Sequence, residues 1–137
     1  LTAMPLNLDF ERVVRFVKAR VPVDVCERMR AFGWERDGDL VAGVLVYGWT
    51  GPAAWIHVAG DGQWMTRGFA RTVFGYVFRD MGCERLFAAA EASNVKSLRF
   101  LSRMGYTTVA ELDAAARDGG PMLINQLRRV DCKYVDR

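Results

Sequence analysis

The sequence is poor in the residues that build metal centres and covalent frameworks. It has one histidine, His57, and three widely spaced cysteines, Cys26, Cys83 and Cys132, with no C-x-x-C pair. That pattern predicts neither a zinc site nor a set of disulfides, and reads instead as incidental thiols in a reducing compartment. No apolar run approaches the roughly 20 residues a helix needs to cross a bilayer, because charges interrupt each hydrophobic stretch. Asp9, Glu11 and Arg12 stand where a secretory leader would carry its apolar segment. A soluble, cytoplasmic protein without membrane contact is therefore expected. Charge of one sign is also scarce: 19 Lys and Arg face 16 Asp and Glu, for a net charge of +3. Both signs are mixed along the chain, so no nucleic-acid surface is implied. Internal repeats, low-complexity stretches and linkers are absent.

What is present is core material. Of 137 residues, 51% are hydrophobic, including four Trp, eight Phe and four Tyr. This length supports one domain with a real core and is too short for two ordinary ones, so residues 1–137 are read as a single domain.

Residues 7–20 place Phe10, Val13, Val14 and Val17 at helical spacing, and Pro22 ends the pattern. A second short helix is expected from Asp24, its N-cap, to about Ala31, with Cys26, Met29 or both turned inward. The pattern then changes to strands. Phe32 to Arg36, the turn Asp37-Gly38-Asp39 and the run Leu40 to Trp49 predict a hairpin, and Ala54 to Ala59 adds a third antiparallel strand. After the Gly60-Asp61-Gly62-Gln63 loop, the longest helix is expected over Thr66 to Met81, with Phe69, Val73, Val77 and Met81 on one face, Phe74 and Phe78 broadening it, and Gly82 at its end. A strand over Arg85 to Ala90, a helix over Asn94 to Met104 closed by Gly105, and a hairpin of Tyr106 to Leu112 with Met122 to Val130 complete the chain. This order predicts an α/β fold: a mixed sheet with antiparallel N-terminal strands, a central βαβα crossover and helices on both faces.

The chemistry-bearing stretch runs from the strand Ala54 to Ala59 into Met65-Thr66-Arg67-Gly68-Phe69-Ala70. Free backbone N–H groups and the positive end of a helix dipole favour phosphate there, and Gly68 and Ala70 remove bulk that would hold a diphosphate away. Small residues in a first helical turn also serve simple packing. Further on, Asn94 opens a helix straight after a strand, Ser97 follows three positions later, and Gly105-Tyr106 closes it.

Together these segments resemble the GNAT family of N-acetyltransferases over about residues 32–130. That family carries a loop patterned Gln/Arg-x-x-Gly-x-Gly/Ala, matched by Gly68 and Ala70, with Met65 at the Gln/Arg position. It also carries a strand ending in Asn, a helix with a small residue three positions on, and a closing Gly-Phe or Gly-Tyr, matched by Asn94, Ser97, Gly105 and Tyr106. The Gly60-Asp61-Gly62 loop after a strand containing His57 is similar to acetyltransferase-like proteins encoded by bacteriophages. For such a member, localisation would mean the host cytoplasm.

The resemblance implies acetyl-coenzyme A as cosubstrate, no metal, and an amine acceptor that is a small molecule or a protein. It leaves a homodimer open. Main-chain groups of Val58, Ala59 and Gly60 would bond the pantetheine arm. Met65, Thr66, Arg67, Gly68, Phe69 and Ala70 would hold the diphosphate, while Asn94 and Ser97 would lie close to the coenzyme, itself wedged between the strands of His57 and of Arg85 to Ala90. The tyrosine that usually protonates the departing thiolate is replaced by Leu101, and Tyr106 occupies the aromatic packing position. His57 falls on the strand where the family often places a general base, and Glu91 is a second candidate. The alternatives are a hydrogen-bonded strand histidine and a solvated or capping carboxylate. A domain that keeps the fold without turnover, as a binding or virion-associated structural module, is the competing reading.

Overall fold

The computed structural model describes residues 6–21, 23, 28–61 and 65–135. The first helix, α1 (Phe10–Lys18), follows a short strand, β1 (Leu6–Asn7). Asp9 caps α1 by accepting from Arg12 N at 3.2 Å, Glu11 sits in its first turn, and Arg15 and Lys18 occupy its last turn, as the helix dipole favours. Val13, Val14 and Val17 are buried, while Phe10, expected inward, is 37% exposed at the helix start. The expected second helix is corrected at its end. Arg30 and Ala31 belong to β2 (Arg30–Arg36), and Arg28 has a φ of 60°; Asp24 and Cys26 lie outside the described residues.

β2 and β3 (Asp39–Tyr47) are joined by Asp37 and Gly38, both at positive φ, which gives the twist-matched two-residue hairpin. β3 pairs antiparallel with β4 (Ala53–Gly60). The next helix is α-helical only over α2 (Arg67–Gly75), then widens into a π-helical turn over Tyr76–Asp80. β5 (Arg85–Glu91) leads to α3 (Val95–Met104). The Asn94 side chain caps α3, and Gly105 ends it at φ 105°, a conformation that a side chain would strain. β6 (Thr107–Leu112) and β7 (Met122–Arg128) form the closing hairpin.

The seven strands form one mixed sheet in the order β1-β2-β3-β4-β5-β7-β6. Among the described residues only β4 and β5 are parallel, joined by the α2 crossover; β7 inserts between β5 and β6, leaving β6 exposed at the edge. One face carries α1, packed through Val13 and Val17 on Leu45, Ala31 and Ala59. Gly43 permits this approach, because a Cβ there would lie 2.7 Å from Val17. The other face carries α2, the π-helical turn and α3, whose Phe69, Val73, Phe78, Leu101 and Met104 cover Val44, Ile56, Leu86 and Leu127. Helices therefore lie on both faces, as expected.

Candidate active site

Two strands that begin as neighbours separate in the middle of the sheet. β4 and β5 pair at Ala53 with Arg85, Ala54 with Leu86, and Trp55 with Phe87. There the ladder ends, although β4 continues to Gly60 and β5 to Glu91. Val58, Ala59 and Gly60 remain paired to β3 through Val44, Gly43 and Ala42. On their other side the main chain faces the split. Buried peptide groups left without partners cost about 1–3 kcal/mol each, so the gap calls for a polar chain that can replace the missing strand contacts.

On the α2 and α3 face of the sheet, reaching Val58 of β4 beside the split, lies a narrow apolar cleft of about 10 Å³. Val58, Met65, Ala70, Phe100, Leu101 and Met104 are among its walls. α2 begins beside it. The Thr66 hydroxyl accepts from Phe69 N at 3.1 Å, and Ala70 N bonds Thr66 O at 3.0 Å. Two of the expected amides are thus used by the helix itself, and the Phe69 side chain is wholly buried in the core. Arg67 N and Gly68 N find no acceptor among the described residues, and both residues are exposed. Among the described residues, a Cβ on Gly68 would meet nothing nearer than 4.0 Å. These two amides, the dipole end and the Arg67 side chain form a place suited to an anion.

Asn94 and Ser97 stand at the start of α3. Asn94 Oδ1 accepts from Ser97 N at 3.2 Å; Asn94 itself is exposed and Ser97 half-buried. Leu101, one wall of the cleft, is 6% exposed and offers no proton. Tyr106 lines the same cleft, but complete burial pushes its hydroxyl pKa far up, so it holds its proton.

His57 projects to the opposite, α1 face, stacked on Tyr47 with ring centroids 4.6 Å apart. Desolvation lowers its pKa below 6.5, which keeps the imidazole neutral near pH 7. Glu91 is held by Arg117 at 2.7 Å, with its side chain 16% exposed. That ion pair makes Glu91 a positioned carboxylate rather than an open base, and it ties the β6–β7 connection to the end of β5. Trp34 packs on Phe69 at 5.1 Å, Trp55 packs on Phe87 at 5.3 Å, and Trp49 is 42% exposed; Trp64 lies outside the described residues. Phe87, at the fork beside Trp55, and the cleft wall Met104 carry no motif that sequence reasoning could have flagged. Among the described residues no group of His, Cys, Asp and Glu is placed to hold a metal.

The split strands, the open helix start and the Asn-capped α3 coincide with a family model, that of the acetyltransferase (GNAT) family, which matches residues 8–106. The chain belongs to this family. Solved GNAT-fold structures agree. A chimera of the spermidine N-acetyltransferase SpeG from Vibrio cholerae and hSSAT superposes with a TM-score of 0.72 at 12% identity, covering 98% of this chain and all of the other. Vibrio cholerae SpeG in complex with manganese ions gives 0.68 at 13% identity, covering 90% and 91%. A probable acetyltransferase gives 0.65 at 16% identity over 76% of this chain, which spans 64% of that protein's length. At these identities the likeness establishes the shared fold. No curated protein sequence matches significantly.

Proposed function

We propose that this GNAT domain is an N-acetyltransferase that takes acetyl-coenzyme A as cosubstrate and passes the acetyl group to an amine in a direct ternary complex. The observation that carries the reading is the pairing of a split sheet with an open helix start. β4 and β5 part after Trp55 and Phe87, and the Arg67 and Gly68 amides, which find no acceptor among the described residues, open α2 between the cleft-lining Met65 and Ala70. Val58, Ala59 and Gly60 would bond the pantetheine amides as a missing strand would. Arg67 and Gly68 would hold the diphosphate, with Met65 and Thr66 shaping that loop and Ala70 keeping it clear. Asn94, whose Oδ1 is engaged by Ser97 N, would offer its Nδ2 donors.

Bound acetyl-coenzyme A supplies an activated thioester. A neutral amine attacks the carbonyl carbon, the C–N bond forms, the C–S bond breaks, and His57 takes the proton lost from nitrogen. The lowered pKa of His57 keeps it ready to accept at neutral pH. Leu101 cannot protonate the thiolate, so water supplies that proton. The coenzyme pool and the thiols of buried Cys83 and Cys132 fit a cytoplasmic setting.

Leu101 also favours a second reading, a binding module that retains the coenzyme site without turnover. Thermal melting with coenzyme A, followed by thiol release over a panel of amines, separates the two. A ligand at a hundred times its Kd adds about 2.7 kcal/mol to native stability. Stabilisation with thiol release supports the transferase, stabilisation without release supports the binding module, and no stabilisation removes both.

A further inference from the structure

We infer that the acceptor is an amine borne on an aromatic body, and that a polyamine is disfavoured; the inference rests on the acetyl-transfer reading above. The cleft and the α2 helix start lie on one face of the sheet, whereas His57 projects from the other. An amine whose proton passes to His57 therefore approaches from the α1 face, beside the point where β4 and β5 part. α1 packs over β2, β3 and the end of β4, away from that fork.

The surface there is aromatic. Tyr47 lies directly across from Trp55 in register, and Trp55 from Phe87, so three rings cross β3, β4 and β5 on one face. Tyr47 stacks on His57 at 4.6 Å and Trp55 tilts on Phe87 at 5.3 Å, and all four side chains are only half-buried. Such a row offers flat apolar area at low entropic cost.

Its charge is wrong for a polyamine. Arg85 and Arg128 face each other in register on this same face, next to Phe87 and its partner Gln126; Arg128 is paired with Asp131 at 2.8 Å, while Arg85 has no carboxylate partner among the described residues. Along β4, β5 and β7 the carboxylate that alternates onto this face is Glu91, and Arg117 holds it at 2.7 Å. A chain carrying several ammonium groups would meet the Arg85 guanidinium and carboxylates already held by Arg117 and Arg128 where it needs open ones. A single amine on an aromatic body meets rings.

The test measures kcat/KM for tryptamine and for spermidine at saturating acetyl-coenzyme A, with coenzyme A melting shifts recorded for each variant. The expected result is a preference for tryptamine of at least tenfold. Trp55→Leu should raise the tryptamine KM several-fold with the coenzyme A shift unchanged, and Arg85→Glu, which leaves the rings in place, should move the preference toward spermidine. Equal or better use of spermidine, or thiol release with neither amine despite a coenzyme A shift, overturns the inference and leaves the coenzyme site standing. Absence of any coenzyme A shift overturns the acetyl-transfer reading itself.

Discussion

Replacing Gly68 by alanine pulls stability and coenzyme affinity in opposite directions. Gly68 is the second residue of α2, it is exposed, and a Cβ added there meets only Thr66 Oγ1 and Trp34 at 4.0 Å. The protein has room for the methyl group. Alanine is a better helix former than glycine, so the free protein should gain about 0.5–1 kcal/mol. For a domain of 137 residues that raises Tm by about 2–4 °C. The same methyl would stand between the Arg67 and Gly68 amides and a diphosphate. Hydrogen bonds to a charged group contribute about 1.5–3 kcal/mol, so the Kd for coenzyme A should rise about 10- to 100-fold. Differential scanning calorimetry of the free variant and calorimetric titration with coenzyme A read the two effects separately. A variant that melts higher and binds coenzyme A as tightly as the parent would refute the cradle. One that melts lower would refute the claim that the position is open.

His57→Gln should lower kcat and leave coenzyme A binding intact; unchanged turnover would take His57 out of the mechanism. Because the folded protein disfavours His57 protonation, the unfolded chain binds that proton more readily below pH 6.5. Stability should therefore fall as pH drops below 6.5 toward the lower folded pKa, and denaturant melts of His57→Gln should show a shallower decline over that range. Leu101→Tyr should cost about 1–3 kcal/mol by overfilling a packed position, yet raise kcat by about 10²-fold if it supplies the missing acid. A folded variant that binds coenzyme A with unchanged kcat would place the thioester sulfur elsewhere. Gly105→Ala should cost about 1–3 kcal/mol in a chemical denaturation curve, since φ is 105° and the new Cβ would press on Leu127 at 3.2 Å.

Much of the fold was legible because its elements are punctuated by local chemistry. Asp37-Gly38 marks one hairpin, Asn94 and Gly105 bracket α3, and Thr66 starts α2. The second helix was misjudged where Met29 and Ala31, inward in either geometry, gave a short apolar pattern that does not separate helix from strand. The π turn at Tyr76–Asp80 was equally hidden, since Val77 and Phe78 stay buried in either winding. At the candidate site, the small residues Gly68 and Ala70 and the cap Asn94 marked the starts of α2 and α3. The sequence could not show that Thr66 uses the Phe69 amide, that Arg117 holds Glu91, or that β4 and β5 part after Trp55. Those depend on pairing between segments distant along the chain, which local patterning does not encode.

The central claim is met most directly by a crystal structure of the complex with coenzyme A. The account predicts diphosphate oxygens within hydrogen-bonding distance of the Arg67 and Gly68 amides, and pantetheine amides bonded to the β4 main chain between Val58 and Gly60. Coenzyme A bound at another surface, or β4 and β5 closed against each other with no room between them, would contradict it.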